Sequence, residues 1–275
     1  MEDLNDDQLN QEEFSEDNEE YELSHIDKMV GLFSEPATIF EKIAQAPIKV
    51  VDWLLPVIVL IVVVSLSTVI LQSNPQIKYE MVEKQTAAME KTMEEYVNSG
   101  AMTQERADEQ IERTREMMNK GGIAMLIPQL IGIPIVAFLV FFVISGFFYG
   151  VSRLILNGDG TFSNSMVAYG LPFYIAAVQS ILILIVAMLM NKLVTDLSIA
   201  TFLDIDKQEI VGFLLSKVDI ISIWFYVVVG IAYAKMFKSE NTAKYVGTII
   251  GLWLGFSLFV FYLAKAVPFL SFLNQ

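Results

Sequence analysis

The sequence predicts an all-α fold: a polytopic membrane protein with a five-helix transmembrane bundle, an extramembrane helical hairpin and an N-terminal amphipathic helix. Three observations predict it. Five long apolar stretches run at about 50–71, 123–156, 166–190, 220–237 and 245–266. A helix needs roughly 20 apolar residues to cross a hydrocarbon core about 30 Å thick. Spanning segments must satisfy their backbone internally, so they are helices or a closed barrel. Barrel strands would alternate over about 10 residues, whereas residues 57–64 read VIVLIVVV. Lastly, one sizeable polar insertion, 72–122, separates the first two stretches.

Taken in order, the chain opens on acid. Residues 1–28 hold twelve acids and one base, Lys28, out of a net charge of −14. Residues 1–25 read as an acidic disordered tail, ahead of a membrane domain over 26–275. The tail either solubilises or meets a basic partner. A strongly acidic chain argues against nucleic acid as a partner. There is no cysteine, which removes disulfides, zinc thiolates and thiol catalysis. No basic leader precedes the first apolar run, so the first crossing is expected to be its own insertion signal.

Ser34 can cap a helix with Pro36 in its first turn. Ile39, Phe40, Ile43 and Ala44 then share one face, with Glu41 and Lys42 opposite. This short amphipathic helix either lies on the membrane surface or packs on its own bundle. Pro47 ends it.

In the 72–122 insertion, Asn98-Ser99-Gly100 marks a break and Thr103 can cap the second half. Val82, Thr86, Met89, Met93 and Tyr96, then Ala107, Ile111, Thr114 and Met118, recur at steps of four and three. Glu80/Lys84 and Glu109/Arg113 are favourable i,i+4 pairs. The segment reads as an extracytoplasmic antiparallel hairpin with a thin seam. The seam simply closes the hairpin, or its methionines Met89, Met93, Met117 and Met118 meet another protein, since methionine adapts to irregular surfaces.

The second apolar run is too long for one crossing, at roughly 51 Å for ~1.5 Å per residue. Pro128 and Pro134 bracket Gly132, so a break is expected there. Asn157–Gly160 is a turn, and the third crossing carries Gly170 and Pro172 near its start. In 191–217, Asp196 and Asp204 interrupt an apolar pattern, and Asp206 with Glu209 resembles a capping box. Gly146/Gly150 form one GxxxG, and Gly247/Gly251/Gly255 form two that overlap. Such faces let helices approach closely, within the bundle or between copies in a homo-oligomer.

Basic residues near short loops set the orientation. Lys42, Lys49, Arg153, Lys235, Lys238 and Lys244 favour a cytoplasmic N-terminus. That places the hairpin and the 191–217 loop on the opposite side.

No catalytic motif is present: HExxH, P-loop and GxSxG patterns are all missing. The single histidine, His25, is expected to be solvated. Asp204, Asp206 and Glu209 lack the rest of a calcium loop, and capping explains them. Asp52, Asp219, Arg153, Lys235 and Lys265 sit near crossing ends, where they can reach the interface. No ionisable residue falls mid-membrane in the second or third crossing, which weighs against coupled transport. No metal or cofactor is expected, and no enzymatic activity.

Three stretches together resemble a family. LFSEPATIFEKI at 32–43, with Pro36 and Phe40, is similar to the P-x-x-x-F-x-x-I lead of bacterial Yip-domain proteins. Tyr169-Gly170-Leu171-Pro172 looks like the Y-x-x-P of their third helix. VDIISIW at 218–224, with Asp219 and Trp224 and followed by Gly230, Lys235 and Lys244, resembles their D-x-F-S-I-W…G…K fourth helix. Ile221 departs where phenylalanine is usual. The resemblance covers about residues 29–265. It implies five membrane helices and no catalytic residues. Eukaryotic members bind Rab-type GTPases, and some bacterial relatives serve ABC exporters as accessory subunits. The expected protein is therefore a multi-pass protein of the bacterial cytoplasmic (inner) membrane, N-terminus inside. It works through the lipid bilayer and a membrane protein partner, such as an ABC exporter. The alternative is a small lipid or solute translocator.

Overall fold

Hydropathy decides the architecture, and the computed structural model describes it for residues 23–120 and 123–266, the side chains of 118–130 excepted. Of the acidic tail expected over 1–25, residues 1–22 lie outside the described residues, while Ser24 and His25 belong to the cap and first turn of a helix. The described residues form α-helices joined by short turns and loops. Four helical stretches are long and apolar enough to cross a membrane: Val51–Ser73, Ile131–Ile155, Phe162–Met190 and Thr242–Ala266. The pair Ile210–Ser216 and Ile220–Met236, bent by 61°, makes a fifth if it is one span. The chain is thus an all-helical multi-pass membrane protein with four to five candidate spans.

Among the described residues two short helices come first: α1 (His25–Ser34) and α2 (Pro36–Gln45). Ser24 caps α1 by accepting from the Asp27 N–H, and Asp27 returns the bond in a capping box. Ser34 was expected to cap the next helix. Instead it closes α1, its hydroxyl donating to the Val30 carbonyl, and Glu35 is the boundary residue. Pro36 takes the first helical position of α2, where no N–H is needed. The apolar face of α2, Ile39, Phe40 and Ile43, is buried against a later helix, α11 (Ile220–Met236). Of the two placements open for this helix, packing on its own bundle is the one observed.

Then come α3 (Val51–Ser73), the hairpin helices α4 (Pro75–Asn98) and α5 (Gln104–Lys120), and α6 (Ile123–Gly150). Asn74 caps α4 through the Gln76 and Ile77 amides. Gly100, at φ +75°, makes the turn to α5. The hairpin forms as expected, with Thr86 and Ala107 buried in its seam and Arg115 bonded to Glu90 across it at 3.1 Å. The break expected at Gly132 does not occur. Helix α6 runs through it and loosens only at its end, in a π turn over Val151–Ile155. A helix can tolerate proline in a membrane because neighbouring groups re-satisfy the freed carbonyl.

The rest is α7 (Phe162–Gly170), α8 (Phe173–Met190), α9 (Ile199–Phe202), α10 (Ile210–Ser216), α11 and α12 (Thr242–Ala266). Pro172 breaks the third span into α7 and α8. Helix α11 is the hub, packing on α2, α7, α8 and α12. The core between these helices is aromatic. Phe141, Phe148, Tyr169, Phe225, Tyr233 and Phe237 are all buried in one cluster.

Candidate functional site at the junction of the N-terminal helices and the bundle

The only charged side chains buried almost completely among the described residues are Lys28, Asp52 and Asp219. Lys28 lies on α1 and Asp52 in the first turn of α3. The Lys28 ammonium donates to both Asp52 carboxylate oxygens at 2.8 Å. Lys28 is 6% and Asp52 1% exposed, so water screens the pair little. His25 was expected to be solvated, yet it sits against the same carboxylate, Nδ1 to Oδ1 at 3.6 Å. Its Nε2 shares a 2.7 Å hydrogen bond with the Tyr174 hydroxyl on α8. Three segments are tied by this one cluster. Its existence explains the orientation of α1: Lys28 and Leu32 face inward, while Ile26 and Val30 are 67% and 56% exposed. Sequence reasoning missed it, because a histidine and a lysine in an acidic lead look solvated.

The residues singled out by the family resemblance gather around the same junction. Phe40 is fully buried. Phe33 meets the Trp224 ring at 5.5 Å, and Glu41 accepts from the Lys235 ammonium at 2.7 Å. Tyr169 stacks among Phe141, Phe173 and Phe225 at 5.9, 5.0 and 6.2 Å. Asp219 stands apart, toward the hairpin end. It caps α11 through the Ile221 and Ser222 amides and accepts from Gln179 at 2.9 Å and from the Leu197 N–H at 3.1 Å. Gln179 is twelve residues before Asn191, about 18 Å along a helix. The chain leaving α8 therefore folds back down beside it to reach Asp219.

Close helix approach within the described residues is seen at Gly170 and Gly230. A Cβ on Gly170 would lie 2.9 Å from the Trp53 Cβ, and one on Gly230 only 2.5 Å from the Val246 Cα. Within the chain, Gly150, Gly247, Gly251 and Gly255 have nothing within 4 Å of a built Cβ, and Gly146 only the Phe162 ring at 4.0 Å. Among the described residues those motif glycines make no tight contact.

On the hairpin, Met93 lines a groove of about 340 Å³ between α4 and α5. Met89 is half-buried and Met117 is exposed. The Met118 side chain lies outside the described residues. Below the hairpin, Asp196 accepts from Lys207, Ser198 and Thr201. Burial opposes its ionisation, but the bonds from Lys207, Ser198 and Thr201 and the Lys207 charge outweigh it and hold the carboxyl at about 2. The expected Asp206–Glu209 capping box is not formed. Asp206 accepts from the Gln208 amide, and Glu209 makes no side-chain cap.

Asp52 is matched by Lys28 and Asp196 by Lys207, Asp219 is held by neutral donors, and among the described residues no group of three or more histidine or carboxylate side chains is placed to hold a metal ion. The family model of the Yip1 domain matches residues 30–264. Searches of curated proteins and of solved structures gave no match. The matched span takes in Lys235 and Trp224, but begins two residues after Lys28.

Proposed function

The chain belongs to the Yip1 domain family, and from that we propose that it is a non-enzymatic membrane protein acting through protein partners, as an accessory or assembly subunit of a membrane transport complex. An ABC exporter is the partner class that the resemblance suggests. The observation that supports this reading is the groove between α4 and α5. Met93 and Ile111 line it, and Glu90, Glu94, Asp108 and Glu112 rim it. Such a surface suits a partner segment that is apolar on one face and basic at its edges. In this reading five spans cross the cytoplasmic membrane with the N-terminus inside, the acidic residues ahead of α1 form the tail, and 72–122 project outward. The open faces at Gly247, Gly251 and Gly255 are available for contact with a second copy.

The translocator reading has less support. An apolar cleft of about 670 Å³ between α3, α6, α7 and α8 has no charged residue in its wall. The buried ion pair is closed by its own partners. Replacing 83–118 with a flexible linker of similar reach should leave insertion intact and remove co-purifying proteins. Retention of every partner would place recognition elsewhere. Cysteines substituted for Ser99 and Ser239 should respectively label with, and be shielded from, an impermeant thiol reagent in intact cells. The reverse pattern would invert the orientation.

A further inference from the structure

A second cavity, of about 390 Å³, lies between α4 and the segment 190–208. Its size is that of a small-ligand site. Lysines reach its wall from both sides. Lys84 and Lys91 come from α4, seven residues apart and so on one face, and Lys192 and Lys207 come from the facing segment. Lys192 and Lys207 are held in place by Asp204 and Asp196. No hydrogen bond or ion pair engages Lys84 or Lys91 among the described residues. Four lysines and two aspartates, Asp204 and Asp206, line the cavity, and two further carboxylates adjoin it, Asp196 on Lys207 and Glu80 on the Leu193 N–H. The chain as a whole has 32 acids to 18 bases. Four lysines gathered at one cavity, two of them without a partner among the described residues, are more than so acidic a composition alone would place there.

The floor is apolar. Met190, Leu193 and Val194 line the cavity where α8 ends, and Leu189, one residue earlier, is 81% exposed. Charge at the rim and exposed apolar surface at the base together match an amphiphile.

We propose that this cavity binds a phosphate-bearing anion, with Lys84 and Lys91 as its free donors and Thr195 and Thr201 on the facing wall. Lysine binds phosphate as a point charge without requiring a fixed angle, which suits donors on exposed side chains. The phosphate can be that of an anionic phospholipid headgroup lying at the end of α8, or of a soluble phosphomonoester.

The test uses the full-length protein in detergent, with binding read by native mass spectrometry. Probes are a short-chain phosphatidic acid, glycerol 3-phosphate, and a short-chain phosphatidylcholine as a lipid without net charge. The expected result is retention of phosphatidic acid over phosphatidylcholine, with a loss of about ten-fold in affinity for Lys84→Gln/Lys91→Gln. A Lys244→Gln control, on the far side of the bundle, should leave binding unchanged. Competition by glycerol 3-phosphate at equal concentration assigns the site to soluble phosphate. Lack of competition assigns it to lipid. Equal retention of both lipids, no binding of either phosphate, or binding unaltered in the double variant overturns the proposal. Both lysines are exposed, so the variants are expected to fold.

Discussion

Replacing Lys28 with methionine keeps the aliphatic stem and deletes the ammonium. Asp52 would then be a carboxylate 1% exposed, having lost both 2.8 Å bonds. Removing one partner of a buried pair costs about 3–5 kcal/mol, chiefly because the other charge is left uncompensated. The cost need not unfold the bundle. Helix α1 carries only two buried side chains, Lys28 and Leu32, so peeling it away re-solvates Asp52. A local opening constant should therefore rise by about a hundred-fold, the equivalent of roughly 3 kcal/mol. Hydrogen exchange of the α1 amides in detergent reads it directly. Lys28→Met/Asp52→Leu removes both charges, and exchange should return to within about ten-fold of wild type, since apolar replacement of a whole pair is often neutral. If Lys28→Met leaves α1 exchange unchanged, or the double variant opens more than either single one, the pair does not hold the helix down.

Two more outcomes rest on particular distances and charges. Gly230→Ala sets a methyl 2.5 Å from the Val246 backbone, which only separation of α11 and α12 can relieve, whereas Gly251→Ala meets nothing within 4 Å. The first should cost about 1–3 kcal/mol and the second nothing or a small gain from helix propensity. Equal melting temperatures would refute the contrast. Asp196 ionises in the folded chain at about 2, below its ordinary 3.8, so the folded state binds fewer protons there. Its contribution, about 1–2 kcal/mol after allowance for partial exposure, is present above pH 4 and lost as pH falls toward 2. Exchange protection of residues 195–207 should collapse over that window in wild type, and be low already at pH 6 in Asp196→Ala. A flat profile in wild type would show that Lys207 does not hold the carboxylate.

Most of the architecture was legible because hydropathy is read over windows of twenty residues. The apolar runs placed α3, α6, α8 and α12, and the repeat at steps of three and four placed the hairpin. What escaped depended on single partners distant in sequence. Lys28, His25 and Tyr174 each look ordinary alone, and only the fold brings them to Asp52. The glycine periodicity at Gly247, Gly251 and Gly255 suggested close packing. Gly230 and Gly170 achieve it as isolated residues, because one close crossing needs only one missing Cβ. The run at 123–150 suggested a break because proline was weighed by its lost bond, while membrane neighbours can restore such bonds. The bend at Lys217–Asp219 was hidden by the same apolar composition on both sides of it.

The hydrogen bond between His25 and Tyr174 joins positions 149 residues apart. Synthesis runs from the N-terminus, so α1 is made long before α8 exists to receive it. Asp52 is made with the first span, while its ring of neighbours is still incomplete. The amino-terminal helix can seat fully only after the third span has been inserted and turned back. Its closure is thus a late step of biogenesis, and protection of α1 from a protease added during synthesis would time the completion of the bundle.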